Sequence, residues 1–137
     1  MSVEIQGVDS LVERLDGIAS DEKLQQALGK ACALVERSAK EKAPKGTGEL
    51  RRSITSKVEG DTGIVYTPLE YAPYVEFGTG LFAENGGRTD VPWNYKDDKG
   101  EWHSTSGMPP QPFMRPALNE NIEQIKRLLK EGITADG

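Results

Sequence analysis

Apolar residues recur along this chain with two periods, and the change from one to the other marks its elements. Val3 and Ile5 alternate with polar neighbours at the start, a strand-like period of two. A short helix is expected from about Asp9 or Ser10, with Leu11, Leu15 and Ile18 on one face. Ser20 or Asp21 then caps a long helix running from about Glu22 to Lys42. Its Leu24, Ala27, Leu28, Ala31, Leu34, Val35, Ser38 and Ala39 follow the helical period. About 20 residues give a helix of roughly 30 Å, and its single apolar stripe requires a sheet or another helix as cover. Pro44 and Gly46 end it.

After the loop Lys45-Gly46-Thr47-Gly48, Glu49 to Ser53 leads into a strand at Ile54 to Val58. Glu59 to Gly63 reads as a five-residue turn and Ile64 to Tyr66 as the returning strand, which makes a β-hairpin. Tyr71 to Phe77 fits one helical turn or a third extended piece, because Pro73 is compatible with both. Gly78 to Gly87 is glycine-rich and irregular. Tyr95 and Trp102 flank a turn at Asp98 to Gly100, so residues 88–106 read as a projecting β-arm. Trp93 and Trp102 within it are aromatic residues of the kind that favour interfaces. A last helix is expected from Arg115 to Glu131, with Leu118, Ile122, Ile125, Leu128 and Leu129 on one face and Gly132 at C′.

These elements imply an α+β fold in one domain over 1–137. A small antiparallel sheet from strands within 54–66 and 90–104 packs on the long helix, and the C-terminal helix closes the other side or crosses to a neighbour. A chain of 137 residues buries roughly two-thirds of its unfolded surface. Only 36% of the residues are hydrophobic, so the core is thin and oligomerisation is expected.

Charge is segregated. Residues 30–58 carry eight basic and three acidic groups, net +5, whereas 59–101 carry three basic and nine acidic, net −6. The net charge of −5 argues against nonspecific nucleic-acid binding. Lys40, Lys42, Lys45, Arg51 and Arg52 form the basic cluster, without the interleaved aromatic residues of a single-strand stacking platform.

Reactive groups are few. His103 is the sole histidine and Cys32 the sole cysteine, so a disulfide within the chain and a His-based metal cluster are both ruled out. Cys32 lies in the helical pattern and reads as a small core residue. Neither Gly46-Thr47-Gly48 nor Gly78-Thr79-Gly80 has the Lys-Ser/Thr pair and strand–loop–helix setting of a phosphate loop. The chain is expected to be no enzyme and to use no cofactor. No apolar run approaches the ~18 residues of a membrane span. The N-terminus lacks a basic, apolar signal region, which points to synthesis and use in a cytosol.

Two segments carry further information. In Gly107-Met-Pro-Pro-Gln-Pro-Phe-Met-Arg-Pro-Ala-Leu118 four of the chain's eight prolines precede a helical tail. Met108 to Pro112 must therefore be stiff and extended, delivering Phe113 and Met114 to a set place, and Pro116 suits a first helical turn. The companion segment is Tyr71-Ala-Pro-Tyr-Val-Glu-Phe-Gly-Thr-Gly80. With Ala43-Pro44 and Thr47-Gly-Glu-Leu-Arg-Arg-Ser-Ile54, the two resemble, in order, the motifs of the HK-ninety-seven gene-product-ten family of tailed-phage neck and tail-completion proteins. The resemblance runs from about Leu24 to Leu128. Residues 88–104 depart from it, and no family role is carried onto them.

That resemblance implies a structural virion protein of a long-tailed phage or prophage. It would form a ring, a hexamer or higher, at the neck or upper tail as a head–tail joining or tail-completion component, meet other neck and tail proteins, and assemble in the bacterial cytoplasm. DNA contact would be only a channel lining, and a nucleic-acid-associated adaptor using the 40–52 cluster is the alternative. Tyr71, Tyr74, Phe77, Trp93, Trp102, Phe113, Met114 and Arg115 are the expected packing or interface residues. Tyr74, Phe77 and Phe113 are expected to share one apolar cluster. Lys40, Lys42, Arg51 and Arg52 would mark one subunit flank, and Glu70, Glu76 and Glu84 the other.

Overall fold

The longest helix sits where the apolar stripe places it. The computed structural model describes residues 1–5, 21–46, 48–84, 91–97 and 99–134. The expected helix with Leu11, Leu15 and Ile18, the Ser20 cap and the end of the glycine-rich run fall outside these residues. By compactness the chain divides into two units, Met1–Leu69 with Phe113–Gly137, and Glu70–Pro112.

In the first unit, strand β1 (Ser2–Ile5), helix α1 (Asp21–Lys42), the short helix α2 (Glu49–Ser53), strands β2 (Thr55–Glu59) and β3 (Thr62–Tyr66), and helices α4 (Met114–Asn119) and α5 (Ile122–Thr134) build an α+β structure. The antiparallel sheet has the order β1-β3-β2. The expected hairpin is present, but the expected third strand is not from 90–104. It is β1, whose Val3 and Ile5 pair opposite Val65 and Gly63. Directly opposed residues share a face, so these four face α1 while Glu4, Ile64 and Lys57 face away.

The turn between β2 and β3 is two residues long, Gly60-Asp61, not five. Gly60 has φ +57°, which a tight hairpin turn needs. Gly63, read from sequence as part of the turn, is a strand residue for a packing reason. A Cβ there would lie 2.5 Å from Cys32 Sγ on α1, so only glycine lets helix and sheet approach this closely.

Helix α1 buries Leu24, Ala27, Leu28, Ala31, Cys32, Val35, Ser38 and Ala39, with Leu34 half-buried. It is covered by the sheet and by α4 and α5. Phe113 and Met114 are completely buried, as are Leu28, Val35, Ile54 and Val65. Each such burial stabilises by roughly 1.5–3 kcal/mol.

The C-terminal helix is not continuous. Asn121 interrupts it, its amide donating to Ala117 O at 2.7 Å and to Ser38 Oγ at 3.1 Å, while its carbonyl accepts from Ile125 N–H. Asparagine is a strong helix N-cap, and here it also ties the break to α1. Pro116 lies in the first turn of α4, as expected. Gly132 is not at C′. It lies inside α5, where a Cβ would come within 2.7 Å of Ala27 Cβ, so it marks the close crossing of α5 over α1.

The second unit contains α3 (Ala72–Phe77), a 3₁₀ turn at Gly80–Phe82, and a hairpin of β4 (Trp93–Lys96) and β5 (Trp102–Thr105). Tyr71 to Phe77 is thus resolved as a helix, with Pro73 in its first turn. Backbone contacts hold this unit together. Thr79 N–H donates to Met108 O, Leu81 N–H to Ser106 O, and Gln111 N–H to Val75 O. Gly80 and Gly107 have φ +61° and +118°, and a side chain on either would collide with the opposing backbone. The proline-rich segment is therefore a partner of the Tyr71–Gly80 segment along its Met108–Gln111 stretch, through main-chain atoms.

Candidate interaction surface

The second unit is built with little apolar interior. Among its described residues the one buried apolar side chain is Ala72, whereas Tyr71, Tyr74, Leu81, Phe82, Met108, Tyr95 and Trp102 are all exposed. Of the large apolar side chains that lie exposed among the described residues, only Ile122 belongs to the first unit. Tyr71 and Tyr74 are three residues apart at the start of α3 and share its outer face. Leu81 and Phe82 come from the 3₁₀ turn, and Met108 is placed beside them by the Thr79 hydrogen bonds. Tyr74 is 61% exposed, Leu81 59% and Trp102 69%. Exposed aromatic and aliphatic groups gathered in one stretch are the mark of an interaction surface.

The hairpin adds a polar clasp. Asp97 Oδ1 accepts from the N–H groups of Lys99 and Glu101 at 2.9 and 2.8 Å, and Asp97 Oδ2 lies 2.6 Å from His103 Nε2. The His103 contact first, and the backbone N–H groups after it, hold the Asp97 carboxyl below its ordinary value. Tyr95 packs across the strand on His103, ring centres 5.4 Å apart. Asp97, Glu101 and His103 present ligand atoms within 4.8 Å of one another. The Asp97 oxygens are already engaged by the turn, so the arrangement reads as a fold of the loop on itself.

The expected interface residues fall into three groups. Tyr71, Tyr74 and Trp102 are exposed, and Phe77, Trp93 and Arg115 are half-buried. Phe113 and Met114 are core residues of the first unit. Tyr74, with most of its surface in solvent, is not part of a buried apolar cluster, because it points from the outer face of α3 opposite Ala72 and Glu76.

The expected flank charges need correction. Lys40 pairs with Glu36 at 3.5 Å, one turn away on the same helix. Lys42 pairs with Glu120 at 2.7 Å and donates to Ser38 Oγ at 3.3 Å. Arg51 Nη2 donates to Ala43 O, 3.5 Å away at the end of α1, where a cation complements the helix dipole. Its Nε is buried without a hydrogen-bond partner among the described residues. Arg52 is exposed. On the acidic side Glu70 and Glu84 are exposed, but Glu76 is completely buried, four residues from buried Ala72 on the inward side of α3. It cannot present charge to a neighbour.

Other cations near these have no ion-pair partner among the described residues, and two of them, Lys30 and Arg37, are not among the expected flank residues. Lys30 and Arg37, two turns apart on the exposed face of α1, and Lys45 beyond its end are exposed and form no ion pair among the described residues. Gln26 and Ala33 lie on the same stripe, with Glu41 at its C-terminal end. The helical period of these positions was available in the sequence, and the internal consumption of Lys42 was not.

An open groove of about 500 Å³ lies where Ser38, Lys42, Glu120 and Asn121 meet, and it is polar. These four side chains are joined to one another by the contacts already given. None of them has the setting of a nucleophile or a general base.

No helix among the described residues is long and apolar enough to cross a membrane. No curated protein and no solved structure gives a significant match. A family model described as "Bacteriophage HK97-gp10, putative tail-component" matches residues 8–78. That stretch takes in α1, the Ala43–Ile54 segment, the hairpin and the Tyr71–Gly78 part of the second segment, while Gly107–Leu118 lies beyond it. With more than half its length matched, this chain belongs to the HK97-gp10 family of bacteriophage tail components.

Proposed function

We propose that the chain is a ring-forming structural component, a hexamer or higher, that completes the tail or joins it to the head. One observation carries the reading. Among its described residues the second unit exposes seven large apolar side chains and buries one small one, so it has far more apolar surface than it can cover itself. Burying such surface stabilises association by roughly 25 cal/mol per Å² before the costs of ordering. A tail component meets other tail proteins, and repeated contacts between identical copies close into a ring when each rotation is a simple fraction of a turn.

Trp93, Trp102, Tyr71 and Tyr74 are the residues we assign to contacts outside the subunit, and Phe113 and Met114 to its core. DNA contact is confined to a channel lining. Lys40, Lys42 and Arg51 of the 40–52 cluster have partners within the chain, which weakens the alternative of a nucleic-acid adaptor. Electron microscopy of the purified protein together with sedimentation over a concentration series tests the proposal. Closed rings are the expected outcome. A chain that stays monomeric at every concentration, and binds DNA with a steep salt dependence, would replace the ring with the adaptor.

A further inference from the structure

We infer that the exposed apolar patch of the second unit seats on the basic outer stripe of α1 in a second copy of this chain. The inference rests on the ring reading and names the two faces that meet. The first face is aromatic and acidic. Tyr71, Tyr74, Leu81 and Phe82 supply it, and residues 70–112 carry seven acidic and three basic groups, net −4. The second face is long and polar, with the cations Lys30 and Arg37 along it and Glu41 at its end. Lys30 and Arg37 project from it without ion-pair partners among the described residues, and Lys45 extends it.

Charge decides between the possible occupants. Patch against patch would bring two net-negative units together, which opposite-sign docking avoids. Patch against α1 instead brings the exposed Glu70 and Glu84 of the patch's unit towards Lys30 and Arg37, the exposed cations of the stripe. The chemistry of contact also matches. Lysine and arginine lay their apolar stems along hydrophobic surface, and their charged ends sit over the rings of tyrosine and phenylalanine. The chain already uses this pairing on its sheet, where Lys57 Nζ lies 5.4 Å from the centre of the Tyr66 ring. The contact is heterologous, because each copy offers a different face to each neighbour, and heterologous contacts are the kind that generate rings.

Complementation between two broken copies tests this. The full chain is made with Tyr74→Ser and Phe82→Ser, which removes the patch, and separately with Lys30→Glu and Arg37→Glu, which reverses the stripe. All four positions are exposed, and circular dichroism checks that each variant keeps its fold. A chain with Leu81→Lys alone is a second patch variant. Sedimentation velocity is expected to show wild-type assembly, and at least a tenfold weaker self-association for each variant. A one-to-one mixture of patch and stripe variants is expected to form dimers, because one intact patch still meets one intact stripe. Variants that assemble like the wild type would overturn the inference while leaving the ring reading in place, as would a mixture that stays monomeric. A wild type that never assembles would overturn the ring reading itself.

Discussion

Adding one methyl group at Gly63 should separate the long helix from the sheet. A Cβ at Gly63 would lie 2.5 Å from Cys32 Sγ, and 3.7 Å from both Ile5 Cβ and Leu28 Cδ2. The last two are ordinary contacts, so the sulfur alone must yield by about 1 Å to reach normal separation. It is fixed to α1 and buried, and relief requires rotating the thiol within a packed core or lifting the helix. Overpacking of this kind costs about 1–3 kcal/mol, offset by about 0.5–1 kcal/mol from the reduced freedom of the unfolded chain. At the middle of both ranges the net loss for Gly63→Ala is about 1 kcal/mol, or roughly 3–5 °C in Tm for a protein of this size. Cys32→Ala alone removes a buried atom and should cost about 0.5–1.5 kcal/mol. In the double variant the new methyl fills the space the sulfur leaves, so the two effects should fail to add by about 1 kcal/mol or more. Thermal unfolding of the four chains by circular dichroism measures the cycle. A Gly63→Ala chain that melts within a degree of wild type, or a coupling near zero, would refute the argument that this glycine sets the helix–sheet distance.

Phe113→Ala should cost about 3–5 kcal/mol, since the ring is completely buried, and a chain that unfolds near the wild-type temperature would show the ring is dispensable. Burial pushes the Cys32 thiol up to about 11, with the charge of Glu36 adding to it and a backbone hydrogen bond to Ile64 opposing. Alkylation at pH 8 should thus track unfolding, and the stability this burial confers should fade as pH rises from about 9 towards 11. The depressed Asp97 carboxyl works with the opposite sign. Its contribution to the hairpin is complete above the ordinary value of 3.8 and lost as pH falls through the lowered one. Cross-strand NMR contacts between Tyr95 and His103 should weaken over that acid range, and Asp97→Asn should remove the dependence.

The apolar period of α1 was legible because burial on one helix face needs only local spacing, and seven of its eight expected inward positions are buried. The exception, Leu34, is half-buried, and Cys32 takes a place the apolar count left out. Glycines misled the reading where their cause was tertiary. Gly63 and Gly132 look like turn and cap in sequence, yet each is a point where α1 is approached closely by the sheet or by α5. Local sequence cannot distinguish a glycine needed for its dihedral from one needed for its missing Cβ. The same limit hid the origin of the third strand. Val3 and Ile5 have the inward alternation that a sheet on a helix demands, whereas Trp93 to Lys96 and Trp102 to Thr105 lack a buried face.

Charge was the harder signal, because a cation's availability depends on what it meets inside the chain. The Glu36–Lys40 pair lies at helical spacing and was readable in advance. The Lys42–Glu120 pair joins residues far apart in sequence and was not. Once the internally engaged groups are removed, the basic block of 30–58 contracts to Lys30, Arg37 and Lys45 on one side of α1. The aromatic count of 70–112 follows the opposite course. Those residues have almost no interior to enter, since their unit is closed by main-chain hydrogen bonds and glycine contacts. A segment folded by its backbone leaves its side chains for others to bury, and Lys30 and Arg37 on α1 have no ion-pair partner among the described residues. Each face lacks what the other supplies, and identical copies arranged head to tail can satisfy both at once.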